Sequence, residues 1–150
     1  MSFWRALRIG SSALTAQRLR LDVIANNVAN AETTSTAEGG PYQRQDVVFQ
    51  TQSKQPFLGN LMLANRKIND NMLNLNGVRV SKIVTDDTPG AKVYDPTHPD
   101  ADAEGFVLYP NVNLVVEMTN MLSATRSYEA NLTVIDAART MAQRALEIGR

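Results

Sequence analysis

All six prolines of this 150-residue chain lie between Pro41 and Pro110, and six of its eight glycines lie between Gly39 and Gly105. The first 38 and the last 40 residues contain no proline. Proline breaks a helix interior and glycine weakens it. Both ends are therefore free to form long helices, and the middle is rich in turns. This predicts an α+β chain: long N- and C-terminal helices (1–34 with 111–150) paired as a coiled-coil layer, and a small β-rich body over 35–110.

Seven-residue recurrences support the pairing. Leu7, Leu14, Leu21 and Val28 alternate with Gly10, Gln17, Ile24 and Ala31. Six of these eight are apolar, which makes a coiled-coil-like seam on a helix of about 27 residues. Near the C-terminus, Leu114, Met118, Met121, Thr125, Tyr128, Leu132, Ile135, Arg139, Ala142 and Leu146 step by four and three, broken only by Thr125 and Arg139. That helix is expected to run about 35 residues, three times the usual length. Asn111 or Asn113 is placed to cap its start, and Gly149 with Arg150 suits its end. Two such helices bury little alone against the entropy of ordering them. They are expected to pack on further helices, or to fold fully only on assembly.

In the middle, Tyr42 to Gln50 and Gly77 to Thr85 read as strands, with the second the clearer. Pro89-Gly90 marks a turn before a short strand, Lys92 to Tyr94, and Glu104 to Tyr109 reads as another. Residues 51–76 fit an extended loop or an irregular hairpin.

Composition excludes several chemistries. Fifteen basic residues balance fifteen acidic ones, so no global charge calls for nucleic acid. Without cysteine there is no disulfide framework, thiolate nucleophile or cysteine–zinc site. No run of 18 apolar residues suggests a membrane span. The first 30 residues lack the apolar core and small-residue cleavage site of a signal peptide. The lone His98 lies between prolines and reads as a solvated loop residue more readily than as a metal ligand. Asp100, Asp102, Glu104 and Gly105 imitate a calcium loop, but its twelfth position is Asn111 where a bidentate Glu belongs. Gly39-Gly40-Pro41 has no following helix, Lys or Ser/Thr and is not a phosphate loop. No nucleophile–base set stands out, so no enzyme, cofactor or metal is expected. Arg5, Arg8, Arg18 and Arg20, with no acid among residues 1–21, resemble a surface-lying membrane helix. The competing reading makes them the solvated side of a packing helix, within reach of Glu117, Glu129, Asp136 and Glu147.

One stretch resists a purely helical reading. Asn26, Asn27 and Asn30 cluster near the end of the first helix, although asparagine competes with the helical backbone. They share one face and offer donors and acceptors together. The residues leave two explanations: a polar contact surface between chains, or a frayed helix end with Asn30 in a left-handed cap.

LDVIANNVANAETT followed by YQRQDVVF resembles the N-terminal motif of bacterial flagellar axial proteins, carried here by Asn26, Asn27, Ala29, Asn30, Thr33, Tyr42 and Arg44. The series from VYDPTHPDADAEGFVLYPNVN through EMTNMLSATRSYEAN is similar to the proximal rod members of that family. The likeness covers residues 2–50 and 78–150, and residues 51–76 match poorly. It implies a structural subunit of the basal-body rod, assembling helically into a hollow shaft that transmits torque and surrounds the export channel. It implies contacts with other rod subunits, the MS ring and its adaptor protein, and delivery by the flagellar type III export apparatus without a cleaved signal peptide. No nucleic acid or small-molecule substrate is implied. The expected subunit interface comprises Leu14, Leu21, Ile24, Asn26, Asn27, Val28 and Asn30 on the first helix. On the second it comprises Asn113, Glu117, Met118, Arg126, Tyr128, Asn131, Leu132 and Ile135. The resemblance favours the contact-surface explanation of the asparagines.

Overall fold

The computed structural model describes residues 3–52 and 77–148. Two helices, α1 (Phe3–Ala29) and α2 (Leu114–Ile148), bracket four strands, β1 (Gln45–Thr51), β2 (Val78–Thr85), β3 (Lys92–Tyr94) and β4 (Phe106–Leu108). The layout is α+β, with helices of the expected 27 and 35 residues. Asn113 caps α2, its Oδ1 accepting from the Val115 and Val116 amides at 3.1 and 3.2 Å. The expected C-terminal cap and most of the 51–76 loop fall outside the described residues.

The helices run antiparallel. Asn27 of α1 touches Glu117 near the start of α2, and Gly10 lies against Ile135 further along. A Cβ at Gly10 would sit 2.8 Å from Ile135 Cγ1, so only glycine admits this approach without a shift. On α1 the heptad positions from Leu7 to Ala31 are all buried or half-buried, as expected. On α2 the seam differs from the expectation. Met121, Thr125, Tyr128, Ile135 and Ala142 are half-buried, but Leu114, Met118, Leu132, Arg139 and Leu146 are exposed, while Glu117, Ala124, Asn131 and Ala138 face inward. The physical reason is proximity: small side chains at 124 and 138 let the helix backbones approach. The larger apolar residues one position on stay in solvent, Met118 at 59 % exposure and Leu132 at 44 %.

A second buried face on α1, formed by Ser12, Ala16, Val23 and Asn27, was not evident from the heptad pattern. It lies against the β1–β2 ribbon. Ser12 Oγ accepts from the Val78 amide at 3.1 Å while donating to the Ile9 carbonyl at 2.7 Å. Arg20 lies over the Phe49 ring, 5.9 Å from its centre. So α1 is packed from two sides, by α2 and by the ribbon.

β1 and β2 pair antiparallel from Gln45↔Thr85 to Thr51↔Val78. Between Val48 and Phe49 the partner jumps from Lys82 to Val80, so Ser81 is the extra residue of a bulge. β3 and β4 form a separate antiparallel pair, Lys92↔Leu108 to Tyr94↔Phe106. Val107, 1 % exposed, is its core. Tyr94 meets Phe106 edge-on at 5.2 Å, and Lys92 Nζ stands 4.7 Å above the Phe106 ring. Gly105, at φ 83°, supplies the left-handed turn entering β4.

Candidate assembly interface

The asparagine cluster meets the first turn of α2 and the lead into β1 at one junction. Asn27 is fully buried, and both ends of its amide are used. Its Nδ2 donates to the Gln45 carbonyl at 2.7 Å and to Glu117 Oε2 at 3.1 Å. Its Oδ1 accepts from the Gln45 amide and from the Tyr42 hydroxyl, each at 2.9 Å. A carboxamide is the one neutral side chain that can mimic a strand neighbour in this way, giving and taking one bond with a single residue's backbone. Asn27 thereby begins β1 as an extra partner and ties it to the helix end.

Glu117, 1 % exposed, anchors the other side. Its Oε1 accepts from Arg44 Nε at 2.9 Å and from Asn120 Nδ2 at 3.4 Å. Arg44 is held in place through its own backbone. Its amide donates to Asn111 Oδ1 at 3.0 Å, and its carbonyl accepts from the Asp86 amide at 2.8 Å. Asn111 Nδ2 in turn donates to the Asp86 carbonyl at 3.1 Å. Burial draws the Arg44 guanidinium down, but the hydrogen bond and charge of Glu117, with Asp46 and Asp86, outweigh it and raise its affinity for the proton. Burial raises the Tyr42 hydroxyl above its ordinary value, and the charge of Glu117 adds to that.

The three asparagines therefore do different things. Asn26 is exposed and donates weakly to Tyr42 at 3.3 Å. Asn30 Nδ2 donates back to the Asn26 carbonyl and to Asn26 Oδ1, both at 2.9 Å, and its own Oδ1 accepts from Thr33 at 3.2 Å. This closes the helix by side-chain bonds. The left-handed cap at Asn30 does not occur, because no described residue other than glycine has positive φ.

The expected interface residues divide by exposure. Asn27, Glu117 and Ile24 are buried within the chain and have no surface to offer a neighbour. The polar atoms of Asn27 and Glu117 are bound internally. Leu14, Leu21, Val28, Asn30, Tyr128, Asn131 and Ile135 are half-buried along the helix pair, with Asn131 bonded to the Ser127 carbonyl at 2.8 Å. Asn26, Asn113, Met118, Arg126 and Leu132 are exposed. Beside them the α2 surface carries Leu114, Val115, Leu122, Val134, Met141 and Leu146, each at least 48 % exposed. These large apolar side chains lie on the side of α2 that α1 leaves uncovered. Sequence reading missed Asn111 as a clamp on Arg44, and missed Gly10 as the close-approach point. The second had a signal, since glycine at a heptad position of an otherwise apolar seam implies a near backbone.

Side chains of the acidic loop are bonded within the chain. Asp100 Oδ2 accepts from Thr34 at 2.7 Å, Asp102 Oδ1 from the Glu104 and Phe106 amides at 2.9 Å, and His98 Nδ1 from the Asp100 amide at 3.1 Å. The carboxylates turn to separate donors of the chain, and among the described residues no three His, Asp or Glu side chains converge as metal ligands would. Arg8 and Arg18 face solvent, and Glu117 takes Arg44 instead of an α1 arginine. No described helix is long and apolar enough to cross a membrane.

Comparison with known proteins shows the family. Residues 7–35 match the model of the flagella basal body rod protein family. Residues 103–148 match that of the flagellar basal body rod FlgEFG protein C-terminal region. Over 99 % of its length the chain is 44 % identical to the flagellar basal-body rod protein FlgC of Borreliella burgdorferi, covering 98 % of that protein. It is 44 % identical to that of Bacillus subtilis and 36 % to that of Escherichia coli O6:H1, over the whole of both chains in each case.

Proposed function

Because the chain belongs to the family of flagellar basal-body rod proteins, and within it to the FlgC group, we propose that it is a structural subunit of the proximal rod. It assembles helically with other rod subunits into a hollow shaft that carries torque and surrounds the export channel. The helical part, residues 1–34 with 111–150, forms the inner layer, and residues 35–110 form the outer body. The MS ring, its adaptor protein and the flagellar type III export apparatus are its further partners. Its role is mechanical, with no catalytic centre.

The observation that carries this reading is that α2, already paired with α1, keeps a second set of large apolar side chains exposed, Met118 and Leu132 among them. A chain meant to end as a monomer would turn Met118 and Leu132 inward. A shaft subunit needs lateral contacts on several helix faces at once, each of modest strength. Arg126, Asn26 and Asn113 supply polar contacts at the edge of that surface.

The test is Met118→Asp together with Leu132→Asp. Both side chains are exposed, so the purified variant should keep its helical circular dichroism and melting temperature. Cells carrying it should be non-motile and yield basal bodies without a rod. Normal swimming by that strain would overturn the proposal.

A further inference from the structure

The seam between the helices repeats every seven residues on both sides. Gly10, Gln17 and Ile24 of α1 meet a face of α2 built from Ala124, Asn131 and Ala138 alternating with Met121, Tyr128 and Ile135. Sliding α2 by seven residues, roughly 10 Å, would take Ile135 from Gly10 to about Gln17 or Phe3, yet would again set apolar and small α2 side chains along the α1 stripe. Packing that depends on residue size and apolarity alone separates such registers poorly. Nor is the observed register chosen by the seam's polar residues: Asn131 bonds the Ser127 carbonyl of its own helix. Gln17 Oε1 is buried without a partner, the one such side-chain atom among the described residues.

Apart from the Gly10–Ile135 approach, the discriminating contacts lie at the helix ends. Asn27 lies opposite Glu117, and both are fixed to a third element, Asn27 through both backbone groups of Gln45 and Glu117 through Arg44. One heptad of slip in one direction would set Asn27 against Ala124. In the other it would set Asn27 against Pro110, before α2 begins. Either way Glu117 would be a buried carboxylate without Asn27, the outcome that costs most in a water-poor site. Buried polar residues select register in coiled coils for this reason.

The geometry points to the Glu117 carboxylate, acting with Asn27, as the determinant of the register in which α1 and α2 pair. Its role is selection rather than general adhesion. The inference concerns the chain by itself and stands or falls independently of its place in a rod.

The chain has no cysteine, so two introduced ones can be spin-labelled without background. Arg18→Cys and Arg144→Cys are exposed positions. Residue 18 lies opposite about residue 127, so the labels are staggered along the axis by roughly 25 Å, and a heptad slip changes that by roughly 10 Å. Double electron–electron resonance on the otherwise unaltered chain should give one distance. Adding Asn27→Leu and Glu117→Leu should give a second population displaced by about 10 Å. If that variant loses its helical circular dichroism, Glu117→Gln decides, since it keeps the side chain's volume and removes the charge; it should show the same second distance at lower abundance. A lock that merely stabilises would lower the melting temperature and leave a single, unshifted distance. That result, or a starting chain with no single distance, would overturn the inference.

Discussion

Asn26 and Asn27 are neighbours of the same residue type, and the structure assigns them opposite consequences. Truncating Asn27 to alanine removes its four hydrogen bonds and leaves the Gln45 amide and carbonyl, the Tyr42 hydroxyl and one Glu117 oxygen short of a partner. An unsatisfied buried group costs about 1–3 kcal/mol. Gln45 and Tyr42 are only half-buried, so water replaces part of what is lost. Alanine also favours the helix over asparagine by about half a kcal/mol. The net cost is about 3–4 kcal/mol, a large share of the usual 5–15 kcal/mol of a folded domain. For a chain of this length that lowers the melting temperature by roughly 6–16 °C. Asn26→Ala loses only exposed or long contacts and should shift stability by less than about 0.5 kcal/mol. Thermal unfolding followed by circular dichroism at the helix band measures both. Equal, small shifts for the two variants would refute the assignment of Asn27 as the internal clasp.

Glu117→Ala alone should cost about 3 kcal/mol in urea unfolding, because Asn27 and Arg44 both lose their buried acceptor; replacing both Glu117 and Arg44 with Met should cost clearly less. Gly10→Val drives a Cβ into Ile135 and should destabilise by about 2–3 kcal/mol, with Ile135→Ala in the same chain recovering part of it in a double-mutant cycle. The raised Tyr42 hydroxyl favours its neutral form, so its contribution is complete below the unfolded value near about 10 and is lost as pH rises through the higher folded value. Ultraviolet titration of Tyr42→Phe against the parent should show the missing tyrosine to be a late-ionising one. Asp102 is held below the ordinary carboxylate range, first by the Phe106 amide, so its turn should persist above about pH 4 and loosen only as pH falls through its lower folded value. Carboxyl NMR shifts that moved at or above the ordinary aspartate range would contradict this.

The element pattern was readable in the sequence because punctuation and period are local properties. Lys92–Tyr94 forms the strand expected of it, and proline-free ends give both helices at their expected lengths. Strand limits differ by a few residues: β1 begins at Gln45 rather than Tyr42, since Tyr42 and Arg44 are drawn into the junction with Asn27 and Glu117. The phase of α2 was harder. Periodicity identifies an apolar stripe but not which partner covers it. On α2 the chain's own partner takes Ala124 and Ala138, leaving Met118 and Leu132 exposed. The asparagine cluster showed that polar groups concentrate at the helix end. Only the fold shows that Asn27 is consumed internally while Asn26 is not, because the distinction rests on Gln45 and Glu117, 18 and 90 residues away.

The β1–β2 ribbon is fastened to α1 twice, at Ser12 with Val78 and at Asn27 with Gln45. Fifteen residues of helix separate the two fastenings, roughly 22 Å. A plate bolted at one point swivels; bolted at two, it turns only if its support turns. Twist applied to the first helix is therefore handed to the outer strands without slack, and a bending load on those strands is shared along a little over half of that helix.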